Sequence, residues 1–329
     1  MDRLLRSIEQ LYGFKIKTWK VIKHIKNSSF VALIKTDEGK KKIVKSLYIT
    51  PERQLFIVKS EQLLAEKGVK LARPIPSLQG ELYMIFDKVP YVLYEWIDGK
   101  SRQLRDRDAL ESMVQVMARF HRASRGLDYP NEVQIYSHLP WEQDYKQRLK
   151  SLKSWHSKHK GSNNRKAVII SRHLPFFQKM AQKALESLHT SHYQNYMDGL
   201  DSAKSLVHGD FHHMNLIFQK DVGVLIDFED VRYDLPSKDL LRIFSMYTKQ
   251  NPFEGKMFRG MMKTYENINP FPTEVRQLVY MDLLFPHIFE RMLRKKKYKK
   301  MSAPELKEWI KQEKEKALYV YDHDFKPQH

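Results

Sequence analysis

His208-Gly209-Asp210-Phe211-His212-His213-Met214-Asn215, followed by Val224-Leu225-Ile226-Asp227-Phe228, sets an Asp five residues ahead of an Asn. A second Asp then ends an apolar strand. Phosphoryl transfer from a metal-bound nucleotide needs these parts: a carboxylate beside the attacking hydroxyl, plus an amide oxygen and a second carboxylate for the cations. Oxygen ligands suit Mg²⁺, which keeps several waters and takes few protein ligands. Any one of these residues alone would pass for a turn or cap. Asp210, Asn215 and Asp227 together point to a catalytic loop and a metal-binding strand end.

The upstream half supplies an independent check. Ile43, Lys45 and Leu47 share one strand face by period two, which places Lys45 among apolar neighbours. Thr50-Pro51 reads as an N-cap followed by Pro at the first helical position, opening a helix to about Lys67 that Gly68 stops. On that helix Glu61 shares a stripe with Ile57, Val58 and Leu64, where a carboxylate is costly unless paired. Lys45 is the expected partner, within about 4 Å, and such a pair is how kinases hold the α- and β-phosphates. Glu52 competes for the role, but the helix dipole already explains an acid in the first turn.

Around these motifs the first 97 residues read as a mostly β unit. Phe30–Ile34 and Lys42–Tyr48 flank an Asp37-Glu38-Gly39 turn, and Leu82–Phe86 and Tyr91–Trp96 flank Asp87–Pro90. Beyond Asp98-Gly99 the pattern turns helical, as at Leu110, Met113, Val116, Met117 and Phe120. A short β island covers Ser205–Val207, Leu216–Phe218 and Val224–Phe228. The expected division is residues 1–97 as a nucleotide-binding lobe and 98–329 as a helical lobe carrying the catalytic loop.

With these residues in hand, the chain resembles the aminoglycoside phosphotransferase and choline kinase superfamily, and within it the bacterial spore-coat CotS-type proteins. Lys-Ile-Val-Lys45-Ser-Leu, Tyr94-Glu95-Trp96-Ile97-Asp98-Gly99, Met117–Ser124 and the two motifs above carry the likeness. It implies an α+β, protein-kinase-like two-lobe fold, with a small antiparallel-sheet N-lobe and a larger, mainly helical C-lobe. His-Gly-Asp replaces the protein-kinase His-Arg-Asp, Ile-Asp-Phe-Glu replaces Asp-Phe-Gly, and no Ala-Pro-Glu follows, which disfavours a protein kinase proper. By the resemblance, Asp210 is the catalytic base or hydroxyl-positioning carboxylate, and Asn215 and Asp227 hold Mg²⁺. Lys45, paired with Glu61, contacts phosphate oxygens, Ser28 belongs to the phosphate-covering loop, and the backbone from Glu95 to Ile97 meets the adenine edge. The cofactors implied are ATP or another nucleoside triphosphate and Mg²⁺. One departure stands out: Ile25-Lys26-Asn27-Ser28-Ser29-Phe30 contains no glycine, although such loops normally use glycines so that backbone can approach the phosphates. That keeps a second reading open, a structural spore-coat component with the kinase-like fold and weak or no turnover.

Charge bears on the acceptor. Lys plus Arg total 58 against 39 Asp plus Glu, a formal net charge of +19, so anionic partners are attracted at long range. Eleven Lys or Arg and no acid fall between Tyr145 and Leu185, and seven basic groups and no acid fall in 291–300. The first stretch lies where the superfamily builds its acceptor-binding helices. A basic insert there argues against a cationic aminoglycoside and suits an uncharged or anionic acceptor, such as a sugar or glycan hydroxyl. Nucleic acid is disfavoured because no recognised module accompanies the charge; spore-coat proteins are the expected macromolecular partners. The chain has no cysteine, which excludes disulfides and thiolate chemistry. It also has no apolar run near the ~20 residues of a membrane span and no signal-peptide core at its start. The expectation is a soluble protein made in the cytosol and then associated with the spore coat.

Overall fold

Helix α1 (Asp2–Tyr12) closes one face of an antiparallel sheet because Leu4 and Ile8, one turn apart, both point into it. The sheet contains β1 (Ile16–Ile25), β2 (Ser29–Thr36), β3 (Lys41–Leu47), β4 (Met84–Phe86) and β5 (Val89–Glu95) in the order β1-β2-β3-β5-β4, with α2 (Pro51–Glu66) between β3 and β4 in the chain. The computed structural model describes residues 1–103, 107–137, 140–189, 191–197, 204–249 and 251–325. Alternation sorts the side chains of each strand. Phe30, Ala32, Ile34, Val44 and Leu93 pack beneath α1, while Val31, Ile43, Lys45 and Tyr94 face the other way, onto a cavity.

Local chemistry sets the element ends. The Thr50 hydroxyl accepts the Arg53 backbone N–H at 3.3 Å and Pro51 opens α2; Gly68, at φ +85°, follows its end. The β4–β5 connection is two residues, Asp87 and Lys88, both at positive φ, the geometry that matches strand twist in a tight hairpin. β5 therefore starts at Val89, and Pro90 pairs only with Ile85, beyond the stretch of β5 bonded to β3. β1 is an edge strand, exposed along nearly its whole length, carrying Lys17, Lys20 and Lys23 and two register irregularities.

The helical part follows with α3 (Arg107–Ala123), α4 (Trp141–His159), α5 (Arg165–Leu188), α6 (Tyr193–Met197), α7 (Ser237–Tyr247), α8 (Gly255–Ile268), α9 (Thr273–Leu284), α10 (His287–Arg294) and α11 (Ala303–Val320). Between α6 and α7 lie β6 (Ser205–Val207), β7 (Leu216–Gln219), β8 (Val222–Leu225) and β9 (Arg232–Asp234). The chain forms two compact units. One comprises Met1–Gln103, Gly126–Tyr136 and His208–Arg232; the other comprises Leu104–Arg125, Ser137–Val207 and Tyr233–His329. The helical unit is organised on buried polar groups. Asp282 accepts from Tyr145, Lys238, Ser237 and His287 at 2.5–2.7 Å, tying α4, α7, α9 and α10 together. His121 bridges Tyr265 and Asp239 at 2.8 and 3.1 Å, which identifies it as a buried structural histidine. The basic stretch of residues 145–185 runs along α4 and α5.

In the sheet unit, the β7–β8 hairpin is bridged to the segments that follow α2 and β5: Leu71 lies beside Leu225, and Lys100 exchanges backbone hydrogen bonds with Phe218. That approach depends on Gly99. A Cβ there would stand 2.5 Å from the Phe218 carbonyl oxygen and 2.7 Å from Ile217 Cγ2. Gly99→Ala is expected to cost about 1–3 kcal/mol, as overpacking against backbone does. An unfolding midpoint in urea equal to that of the parent chain would contradict this.

Candidate active site

The cavity under the sheet has a volume of about 310 Å³ and is lined by residues of the sheet unit alone. Its roof is Val31, Ile43 and Lys45 from β2 and β3; its inner wall is Glu61 of α2 and Tyr94 of β5. Glu95, Trp96 and Ile97 form the strand-exit side, and Ile217, Ile226, Asp227 and Glu229 form the floor. Lys45, Glu61, Glu95, Ile97 and Asp227, expected as site residues, therefore meet in one place. Ser28 does not reach this cavity. It lines a second cavity on the α1 face of the sheet, and its neighbour Ser29 touches both.

The expected Lys45–Glu61 ion pair is not formed. Glu61 is buried where its helical stripe predicts, at 2% exposure, but both its oxygens accept from the Tyr94 hydroxyl, at 3.2 and 3.0 Å. The Lys45 ammonium instead bonds Asp227 Oδ1 and lies 3.6 Å from Glu229 Oε2. The rearranged pairing has a physical cause. Tyr94 faces Ile43 across the β3–β5 pairing, two residues from the strand pair that holds Lys45 and so on the same face, and its phenol occupies the hydrogen-bonding space beside Glu61.

Electrostatics separate the three carboxylates. Burial pushes Asp227 up, but the charge and hydrogen bond of Lys45 more than offset it, so the group sits below its ordinary value. Glu229 is raised, chiefly by burial, against the pull of Lys45. Glu61 is pushed up to about 8, first by burial, with the Tyr94 hydrogen bond and Lys45 opposing. Tyr94 is held well above its ordinary value by burial and by Glu61, so it remains a protonated donor.

Asp210 and Asn215 stand beside this floor. The Asn215 carbonyl accepts the Ile226 N–H at 3.1 Å, immediately before Asp227, and the Asn215 side-chain amide donates to the Asp210 carbonyl at 3.1 Å. With its NH₂ so engaged, Asn215 keeps its amide oxygen for another partner. Gly209 permits the turn at φ +79°, where a Cβ would meet the Asp230 carbonyl oxygen and Arg232 Nη1 at 2.6 Å. His208 is buried, with Nε2 at 3.0 Å from the Ile226 carbonyl and its ring 5.0 Å from that of Phe228. Asp227 is itself at φ +69°, a left-handed conformation that Asp tolerates better than most side chains. Among the described residues no group of three or more His, Cys, Asp or Glu side chains forms a metal cage. An Asp with an Asn oxygen is nevertheless a donor set that fits Mg²⁺ held jointly with phosphates.

Three contributors carried no role in the sequence reading. Glu229 lies two residues beyond Asp227, and in an extended segment that spacing returns a side chain to the same side. Tyr94 lies two residues after Val92 on the strand beside Lys45, so period two was its signal. Arg53 was detectable as a cation in the first turn of a helix, where the dipole disfavours it. Its guanidinium donates to the Glu229 and Val231 carbonyls at 2.9 and 2.6 Å and lies over the Tyr136 ring at 4.8 Å, joining α2 to the segment after Asp227.

Residues 25–266 match the model of the phosphotransferase enzyme family. The chain belongs to that family. Among curated relatives of this phosphotransferase-family chain, spore coat protein S of Bacillus subtilis (strain 168) is 25% identical over 298 residues, 88% of this chain and 82% of the relative. Among solved structures, the aminoglycoside phosphotransferase from Alicyclobacillus acidocaldarius superposes with a TM-score of 0.75 at 16% identity, covering 96% of this chain and 92% of that one. The amicoumacin kinase hAmiN, in complex with AMP-PNP, Ca²⁺ and Ami, superposes at 0.65 and 16% identity, covering 98% and 96%. The fold is the kinase-like one, with a five-stranded antiparallel sheet lobe and a helical lobe.

Glu61 makes a testable contribution to stability. The unfolded chain releases this proton as the pH passes about 4.5, while the folded chain retains it to about 8. Across that window the unfolded state binds fewer protons, so stability falls as pH rises. Glu61→Gln keeps an acceptor for Tyr94 and removes the titration. It is expected to unfold later than the parent chain at pH 8 by a few kcal/mol, and to match it near pH 4.5. Urea denaturation at both values checks this, and a difference that does not grow with pH would refute it.

Proposed function

We propose that this protein is an ATP- and Mg²⁺-dependent phosphotransferase acting on a hydroxyl of an uncharged or anionic small molecule or glycan, in association with the spore coat. The observation that carries the reading is the convergence of Lys45, Asp227 and Glu229 at one end of an apolar-walled cavity, with the Asp210–Asn215 turn hydrogen-bonded beside it. The backbone from Glu95 to Ile97 offers donors and acceptors to a nucleobase edge at the other wall, and Lys45 offers its ammonium to phosphate oxygens. Asn215 and Asp227 would hold Mg²⁺, which when bound neutralises polyphosphate charge. Asp210 orients the acceptor hydroxyl and receives its proton as the oxygen attacks the γ-phosphorus and the bond to the β-phosphate oxygen breaks. Glu61 holds Tyr94 in place and acts on Lys45 only through the field. The basic stretch of residues 145–185 on α4 and α5, in which Lys146 and Arg148 are paired with acids, favours an acceptor without positive charge.

A second reading rests on the likeness to spore coat protein S and on the glycine-free turn at residues 25–30: a coat component that binds nucleotide without transferring phosphate. Among the described residues, no helix is long and apolar enough to cross a membrane.

Thermal unfolding separates the readings. A ligand that binds only the folded state raises the midpoint, by an amount equivalent to about 2.7 kcal/mol at a hundredfold excess over Kd. ATP with Mg²⁺ is expected to raise it well beyond ATP alone, and Asp227→Ala to abolish the difference. An unchanged Mg²⁺ response in that variant moves the metal site elsewhere. Asp210→Asn is expected to lower kcat by about 10²-fold or more while nucleotide affinity stays near that of the parent chain. Wild-type turnover in this variant would remove Asp210 from the chemistry.

A further inference from the structure

The Asp210 carboxylate has an imidazole beside it. His212 Nε2 lies 3.2 Å from Asp210 Oδ2. The other ring nitrogen, Nδ1, accepts the Met214 backbone N–H at 3.2 Å. A backbone N–H can only donate, so Nδ1 carries a lone pair and the proton of the neutral ring resides on Nε2, toward the carboxylate. The ring is well held. His212 has extended backbone and caps the turn formed by His213, Met214 and Asn215; its carbonyl accepts the Asn215 N–H at 2.9 Å. Its side chain is only 13% exposed, so water competes weakly for the contact.

A carboxylate on an exposed turn has a broad terminal torsion and presents either oxygen. A fixed donor on one oxygen removes that freedom. A Lys or Arg in the same place would also do so, but its permanent charge would weaken the carboxylate as a proton acceptor. A neutral imidazole N–H orients without that cost. We propose that His212 is a positioning residue for phosphoryl transfer. Its Nε2–H holds Oδ2 so that Asp210 meets the acceptor hydroxyl in one orientation. The same turn that presents the Asn215 amide oxygen thereby also sets the angle of Asp210. This role rests on the phosphotransferase reading; the contact and the tautomer do not.

The test uses the 329-residue chain and Mg²⁺-ATP, with phosphate release as the kinetic readout. His212→Ala is expected to lower kcat roughly tenfold or more, as loss of an orienting partner does, with KM for ATP within about twofold. His212→Gln places an amide N–H near the position of Nε2 and is expected to restore most of kcat. His212→Asn, whose amide ends near Nδ1, is not. Unfolding midpoints matched to the parent chain exclude a folding defect in each variant. Unchanged kcat in His212→Ala, equal behaviour of the Gln and Asn variants, or an effect confined to KM would each overturn the proposal. Long-range ¹H–¹⁵N spectra of ring-labelled histidines judge the contact independently of turnover. The resonances that vanish in His212→Gln should show the Nε2–H tautomer and should shift in Asp210→Ala. An Nδ1–H tautomer, or no response to Asp210→Ala, overturns the proposal even in an active enzyme. A parent chain with no turnover and no Mg²⁺-ATP stabilisation refutes the phosphotransferase reading, and the positioning role with it, whatever the tautomer.

Discussion

A lysine on the inner face of a sheet needs a counter-charge, and Lys45 finds it 182 residues along the chain in Asp227. Much of the sheet unit serves that meeting. The β7–β8 hairpin must reach the sheet, which the bridges at Leu71 and Lys100 and the bare Cα of Gly99 allow. The segment after Asp227 must stay near α2, which Arg53 secures through two main-chain carbonyls. The pair is partly buried, with Lys45 15% and Asp227 32% exposed, so the hydration it loses offsets much of its Coulomb gain and its contribution is to specificity of arrangement more than to net stability. Glu229, at 3.6 Å, leaves Lys45 between two carboxylates rather than one, so a polyphosphate would compete with acids already gathered on that cation.

The inner wall shows how a buried acid is accommodated without a salt bridge. Glu61 lies within the field of Lys45, yet its hydrogen bonds go to a phenol, and its proton is retained far above the usual carboxylate range. Tyr94 and Glu61 thus form a largely neutral pair beside the charged trio of Lys45, Asp227 and Glu229. The two sets differ in what they can do near neutral pH: one is poised to accept or release a proton, the other to hold opposite charges.

Periodicity and motif spacing made much of this legible. Period two placed Lys45 on the inner face, the helical stripe placed Glu61 inside, and the Asp–Asn–Asp spacing marked the residues at the floor, while Tyr94 was legible by the same period-two rule but carried no role. What periodicity settles is a face, never a distance. Whether Lys45 reaches toward α2 or toward the loop after β8 depends on which carboxylate lies within a side chain's length, and that is decided by packing between distant segments. Tyr94 could be read as apolar or as a donor, and only the structure shows its hydroxyl directed at Glu61. Nor does local pattern reveal that residues 126–136 and 208–232 join the sheet unit. Tyr129 hydrogen-bonds Ser60 at 2.7 Å and stacks on Phe56 at 5.5 Å, contacts that no short-range rule anticipates.

The sheet stops at five strands on its β1 side for a reason that matters in dense assemblies. An unpaired strand of ten residues bearing exposed Trp19, Val21, Ile22 and Ile25 would normally recruit another strand. Lys17, Lys20 and Lys23 and the two breaks in register make that recruitment unfavourable. Two molecules meeting edge to edge would bring lysine against lysine and align few hydrogen bonds. Copies of this protein can therefore be concentrated without their sheets fusing into a continuous ribbon. The safeguard is electrostatic, however, and shortens with the screening length, from about 10 Å at 0.1 M salt to about 3 Å at 1 M. As salt concentrates, the repulsion between edges fades while the apolar side chains stay exposed, so the charge-based protection of this strand is strongest in dilute, low-salt solution.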